Sequence, residues 1–261
     1  MAASRTRFQY QMLTLKNGFR ALRYPKSSRF GTHFRSYSLY IFYNARMPTA
    51  LIFDLDGTLW DATVPITESW IIVGRKYFGP SYELSVETVK GLMGKTMAEI
   101  AAALTPEDAT PERIEPFVAE CFSYEREYLG PNPGRLFPDE LETLRLLKKD
   151  HDLYIVSNCQ SGYIENFLAV IEDGIFKGHR CWSDTKKDKQ FTIRLLMEDF
   201  GIENAIYIGD TRKDEEATRA AGLPFILAGF GFGTAESPDA VAESFDDLPR
   251  AIDEVTSLRG R

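Results

Sequence analysis

Four short apolar runs, 50–53, 153–157, 205–209 and 224–228, are separated by segments of helical periodicity. Each run has the length and nearly unbroken hydrophobicity of a strand buried on both faces, as strands of parallel sheets are. The intervening patterns are amphipathic. Residues 139–149 place Leu141, Leu144, Leu146 and Leu147 on one broad face, with Pro138 at the start. Residues 191–200 carry Ile193, Leu195, Leu196 and Met197 and stop at Gly201, and 214–221 stops at Gly222, a residue suited to a C-cap. Strands alternating with helices predict an α/β fold, a doubly wound, Rossmann-like parallel-sheet core.

One interval breaks the alternation. Residues 63–135 contain helical patterns at 66–78, 86–93, 97–104 and 111–128 and no clear strand, and they end at the breaker Leu-Gly-Pro-Asn-Pro-Gly. The expected organisation is therefore a core built from 47–62 and 136–261, with a helical insert, a cap, over 63–135. With 44% hydrophobic and 26% charged residues in 261 positions, the composition is that of an ordinary globular chain. No stretch approaches the roughly 18–20 apolar residues of a membrane span.

Residues 1–46 hold nine Lys or Arg and no Asp or Glu, so all 38 acidic residues lie beyond them. An Arg-rich, acid-free leader with interspersed Ser and aromatic residues has the composition of an organelle transit peptide, which would send the chain to a mitochondrion or plastid. The alternative is an extension upstream of a start at Met47, with a cytoplasmic protein. A basic nucleic-acid-binding arm is a third reading. The acidic body repels nucleic acid and other polyanions, so no nucleic-acid or membrane partner is expected of it. Any phosphate it handles needs a local positive site from a metal or a placed lysine. Cys121, Cys159 and Cys181 are too widely spaced for a zinc pattern or a disulfide framework and are expected as small buried hydrophobes.

In open α/β sheets, ligands bind beyond the carboxyl ends of the strands. Those ends carry a coherent set here: Asp54-Leu55-Asp56-Gly57-Thr58 after the first run, Ser157-Asn158 at the second, and Gly209-Asp210-Thr211 at the third, with Asp214 one turn further on. Acids at separate strand ends, beside a hydroxyl and an amide, suit a divalent cation and a phosphate, and Mg²⁺ favours a few carboxylates with waters and substrate oxygens. Residues two apart in an extended segment point the same way, so Asp54 and Asp56 can face one reacting centre, one attacking and the other moving protons. Gly57 permits a sharp turn between them and the next element.

Phe53-Asp54-Leu55-Asp56-Gly57-Thr58-Leu59 resembles the first motif of the haloacid dehalogenase-like hydrolase superfamily. Ser157-Asn158 resembles the second, Lys189 the lysine of the third, and Gly209-Asp210-Thr211-Arg212-Lys213-Asp214 the fourth. The resemblance covers about residues 48–250, and the insert between the first two motifs is similar to the cap of the phosphoglycolate phosphatase and β-phosphoglucomutase branch. It implies that Asp54 is a nucleophile forming an aspartyl-phosphate, and that Asp56 protonates the leaving group and then activates water. It implies a Mg²⁺ cofactor held by Asp54, the backbone carbonyl of Asp56 and Asp210, with Asp214 supporting, and phosphoryl oxygens held by Ser157, Asn158 and Lys189. Lys186 and Lys187 are neighbours of similar type; Lys189 is preferred because it opens the helical pattern.

The second aspartate, Asp56, is absent from the dehalogenases of this superfamily, so the resemblance points to phosphorus chemistry. The leading reading is a phosphatase acting on a small phosphorylated metabolite of the phosphoglycolate type. A phosphomutase is the enzymatic alternative, and a non-catalytic binding protein on the same fold is the alternative of another class. Substrate choice should come from the insert, where Lys95 in the loop Gly91-Leu92-Met93-Gly94-Lys95-Thr96 could meet a remote anionic group. Trp60, Trp70 and Tyr77 are expected as packing residues, and the Gly-Phe-Gly-Phe-Gly run at 229–233 as a flexible turn near the site. Sequence leaves the oligomeric state open.

Overall fold

The structure, a computed structural model, describes residues 13–14, 20–21, 49–107 and 109–259. Residues 1–44 and 45–261 form separate units. In the first, β1 (Leu13–Thr14) pairs antiparallel with β2 (Arg20–Ala21); the rest of the predicted leader lies outside the described residues.

The sheet of the second unit has six strands: β3 (Ala50–Phe53), β4 (Leu153–Ser157), β5 (Phe176–Cys181), β6 (Ala205–Gly209), β7 (Phe225–Ala228) and β8 (Ala240–Ala242). They are all parallel, in the order β5-β4-β3-β6-β7-β8. The chain builds outward from β3 to β5, then returns to lay β6 against the other side of β3. The order therefore reverses between β3 and β6, which makes the crevice past their carboxyl ends the place where such sheets bind ligands.

Strand periodicity divides the core into two layers. Leu51, Phe53, Ile155 and Ile208 point to one face, and Ala50, Ile52, Tyr154 and Tyr207 to the other. The second face is covered by α8 (Lys189–Phe200) and α9 (Arg212–Ala221), through Ile193, Leu196, Ala217 and Ala221. The first is covered by α5 (Glu140–Leu147), α6 (Tyr163–Leu168) and α10 (Leu248–Arg259), through Leu144, Phe167 and Ile252. Phe53 is fully buried at the sheet centre; truncation there to alanine would cost about 3–5 kcal/mol. Cys121, Cys159 and Cys181 are all free and buried.

Four helices, α1 (Thr63–Phe78), α2 (Val86–Lys90), α3 (Met97–Leu104) and α4 (Pro111–Leu129), stand between β3 and α5. They form the helical cap inserted in the α/β core. Edge-to-face pairs such as Trp70–Phe122 and Phe78–Phe117 hold α1 to α4. No described helix is long and apolar enough to cross a membrane.

Several boundaries differ from the sequence reading for local reasons. Helix α1 begins three residues earlier than its apolar pattern, because Asp61 Oδ1 accepts the Thr63 N–H at 3.0 Å. Helix α2 stops at Lys90 rather than 93, in the turns that lead to Gly94. Pro138 lies outside α5: Asp139 takes φ 60°, and the helix starts at Glu140, whose Oε2 accepts the Phe137 N–H at 3.0 Å. β5 was not predicted. It is an edge strand of sequence Phe-Lys-Gly-His-Arg-Cys, paired on one side only, so it carries little of the apolar signal.

Candidate active site

The first acid stands where β3 ends. Asp54 is 3% exposed, and its N–H donates to Ile208 O at 2.8 Å across the β3–β6 junction. Asp210 follows β6 on the neighbouring strand. Asp214 lies one turn into α9, where Thr211 is the N-cap: the Thr211 N–H donates to Asp214 Oδ2 at 3.1 Å and the Asp214 N–H to Thr211 Oγ1 at 3.2 Å. The capping box thus occupies Oδ2 of Asp214 and leaves Oδ1 to face the crevice. One oxygen from each of Asp54, Asp210 and Asp214 lies within 4.8 Å of the others.

Three buried carboxylates repel one another, and a single ammonium opposes them. Lys189, the first residue of α8, is 6% exposed and donates from Nζ to Asp54 Oδ1 at 2.8 Å and to Asp214 Oδ1. Burial pushes Asp54 well above the usual carboxylate range, Asp214 adds to this, and Lys189 pulls the other way. Asp210 is raised to about 7 by burial and by Asp214. Burial works against the Lys189 charge, but Asp214 and Asp54 outweigh it and hold the ammonium above its ordinary range.

The cluster fits a divalent cation. Asp210 Oδ2 accepts the Phe232 N–H at 2.8 Å, whereas Asp210 Oδ1 is buried with no partner. Such an orphan among all-oxygen donors is what a hard cation would satisfy. The 229–233 turn is closely packed rather than loose. A Cβ on Gly231 would lie 2.3 Å from the Asp210 Cβ, and one on Gly57 would lie 2.2 Å from Asp210 Oδ2.

Asp56 sits apart from that cluster. Its Oδ1 receives the Tyr163 hydroxyl at 2.6 Å and the Trp60 indole N–H at 3.0 Å, which leaves Oδ2 clear of both. Burial raises its pKa to about 6, against the pull of those two donors. Trp60 is fully buried, as expected of a packing residue, but it also holds Asp56. Tyr163, in a helix the sequence reading did not mark, was missed.

Asp54, Asp56 and Ser157 of the core and Trp70, Lys95 and Glu125 of the insert line one cavity of about 40 Å³. Asn158 also faces it, with its amide donating to Gly94 O at 3.3 Å, beside Lys95. Trp70 therefore borders the cavity as well as packing, whereas Tyr77 packs against Phe117. Of the three neighbouring lysines, Lys186 lies over the Trp182 ring and Lys187 over Phe191, so Lys189 alone of them reaches the carboxylates. Glu125 and Gln160, joined by a 2.9 Å hydrogen bond, were not foreseen. A glutamate in the last half of an amphipathic helix looks like a solvated residue until its partner helices are placed.

Residues 51–228 match the haloacid dehalogenase-like hydrolase family. The chain belongs to that family. Among its relatives is a phosphoglycolate phosphatase of Photorhabdus laumondii, 27% identical over 215 residues, covering 78% of this chain and 92% of the relative. Phosphoglycolate phosphatase 1 of Pseudomonas aeruginosa is 22% identical over 234 residues, 83% of this chain and 84% of the relative. Two solved structures share the fold. A haloacid dehalogenase-like family hydrolase from Streptococcus pneumoniae superposes with TM-score 0.67 at 24% identity, over 78% of this chain and 98% of that one. A subfamily IA hydrolase from Geobacter sulfurreducens gives TM-score 0.59 at 20% identity, over 77% and 95%.

Proposed function

We propose that this hydrolase is a Mg²⁺-dependent phosphatase that cleaves a small phosphomonoester through a phosphorylated Asp54. The observation that carries the reading is that Asp54 and Asp56 line a single cavity, with Asp54 also joined to a carboxylate cluster and a buried lysine. Asp54, Asp210 and the Asp56 backbone carbonyl would hold the cation, with Asp214 supporting it. The cation would neutralise charge on the phosphoryl oxygens.

The chain's own residues account for the rest. Lys189 pulls Asp54 toward its ionised form against the effect of burial and offsets the repulsion between a carboxylate and a phosphate dianion. Ser157 and Asn158 would hold the phosphoryl oxygens in line. An Asp54 carboxylate oxygen bonds to phosphorus as the ester P–O bond breaks, and Asp56 gives its proton to the departing alcohol. Asp56 then takes a proton from the water that attacks phosphorus, and the bond to Asp54 breaks to release phosphate. A carboxyl of pKa about 6 suits both directions of transfer near neutral pH.

The cavity is small: one water needs roughly 10–15 Å³, so about 40 Å³ holds only a few. A compact substrate, admitted by outward movement of the insert, fits that size. The relatives' phosphoglycolate activity and the position of Lys95 at the cavity both favour a short phosphorylated acid as first candidate. Presenting about thirty phosphomonoesters with Mg²⁺ and following both free phosphate and rearranged ester tests this. Phosphate release that stops with EDTA and returns with Mg²⁺ is expected. Rearranged ester without phosphate would instead identify a phosphomutase, and neither product would leave a binding protein.

A further inference from the structure

Tyr163 opens α6, is 2% exposed, and lines the same cavity as Asp54 and Asp56. Its hydroxyl donates to Asp56 Oδ1 at 2.6 Å, and the Trp60 indole N–H donates to that same oxygen at 3.0 Å. The Trp60 ring packs edge to face with both Tyr163 and Phe167 of α6, at 5.6 Å between centroids in each case. One short helix therefore holds Asp56 twice, directly through the Tyr163 hydroxyl and indirectly through the ring that carries the indole N–H.

Packing accounts for the three rings, and a buried tyrosine or tryptophan usually finds a hydrogen-bond partner for its polar end. Packing does not account for two donors converging on one oxygen of an acid that has to move protons. A neutral carboxyl has one oxygen that carries hydrogen and one that only accepts, with two lone pairs. Two donors on Oδ1 use both lone pairs and make it the accepting oxygen. The transferable hydrogen of the neutral acid then belongs to Oδ2. When Asp56 is ionised, the same donors keep hold of Oδ1, and Oδ2 is again the oxygen left to take a proton from water. A phenol (ordinary pKa about 10) and an indole both remain donors at neutral pH, so the arrangement serves both halves of the reaction.

We propose that Tyr163 is a positioning residue that, assisted by Trp60, fixes Asp56 with Oδ2 as its proton-carrying oxygen. One atom then acts as acid toward the leaving alcohol and as base toward water. This rests on the phosphatase reading, in which Asp56 moves those protons. Proton transfer requires hydrogen-bond reach of about 2.6–3.2 Å, and a misplacement of about 1 Å can cost on the order of 10²-fold.

Tyr163→Phe deletes the hydroxyl and keeps the ring beside Trp60. The test is the first turnover of the full chain with Mg²⁺, read as alcohol released before steady state. Three esters are compared: para-nitrophenyl phosphate, phenyl phosphate, and whichever alkyl ester the phosphomonoester screen finds best. Para-nitrophenolate leaves without a proton, whereas an alkyl alcohol needs one. The variant should therefore match the wild type within about twofold on para-nitrophenyl phosphate and fall about tenfold or more on the alkyl ester, with phenyl phosphate between them. Breakdown of the phosphorylated chain should slow by one common factor on all three, because water needs the base whichever alcohol has left. A purely structural role would slow the first turnover of all three alike. In an Asp56→Asn background, Tyr163→Phe should change the first turnover of phenyl phosphate by less than about twofold, since a residue that acts through Asp56 has nothing left to act through. Uniform loss across the esters, no loss on the alkyl ester, or an undiminished loss in the Asp56→Asn background overturns this inference alone. A wild type that frees no alcohol from any ester overturns the phosphatase reading and this inference with it.

Discussion

The Lys189 ammonium bridges Asp54 Oδ1 and Asp214 Oδ1, joining the end of β3 to the first turn of α9 at the point where the sheet reverses its order. It opposes the burial and mutual repulsion that raise Asp54 and Asp210. Removing it as Lys189→Met should cost about 3–5 kcal/mol, the range for stripping one partner from a buried ion pair. For a chain of this length that lowers Tm by on the order of 10 °C. Melts at pH 8 without metal check the loss, and Mg²⁺ should return part of it. A loss below about 1 kcal/mol would mean that water, not Lys189, supports the carboxylates.

Stability should fall as pH rises in the metal-free protein. Asp56, Asp210 and Glu140 stand at about 6, 7 and 8, raised chiefly by burial, against ordinary values of 3.8 for Asp and 4.5 for Glu. Between those limits the folded chain holds more protons than the unfolded one, so stability decreases with pH. The contribution is complete below about pH 4 and is lost as pH passes through 6 to 8. Mg²⁺ bound at Asp210 would offset its part, so the Tm gain from Mg²⁺ should be larger at pH 8 than at pH 5.5. Equal gains at the two values would detach the cation from these groups.

Gly57→Ala should separate backbone strain from damage at the site. Gly57 has φ 77°, and its new Cβ would overlap Asp210 Oδ2, so both stability and kcat should drop, kcat by about tenfold or more. Gly79→Ala is the control: φ is 96°, but nothing lies within 4 Å of the added Cβ. It should lose about 1–3 kcal/mol of stability and keep its kcat. Matching activity losses in both variants would show that Gly57 acts through stability only.

The strand ends were legible because β3, β4 and β6 are buried on both faces, and nearly continuous apolar runs stop sharply at polar residues. That same contrast exposed Asp54, Asp56, Ser157 and Asp210. Lys189 could be preferred over Lys186 and Lys187 only by its place at the start of α8; its two carboxylate partners, 135 and 25 residues away in the chain, needed the fold. β5 and β8 were invisible, the first for its polar edge composition and the second for its three-residue length. Tyr163, Gln160 and Glu125 carry no local signal, since each matters through a partner on another element. Trp60 and Trp70 read as packing residues because indole rings are mostly apolar. Their N–H groups, one given to Asp56 and one acting on the buried Glu125, become meaningful only in three dimensions.

The most direct test of the central claim is to look for phosphate on Asp54. Asp56→Asn should slow the release of phosphate from the enzyme far more than its transfer to the enzyme when the leaving group is as good as para-nitrophenolate, which needs no proton. Para-nitrophenyl phosphate and Mg²⁺ should then produce a burst of about one nitrophenolate per chain. Mass spectrometry of the acid-quenched protein should find a phosphoryl group on the peptide containing Asp54, and the adduct should be absent from Asp54→Asn. A phosphoryl group on another residue, or nitrophenolate released in steady turnover with no adduct on the quenched chain, would contradict the account.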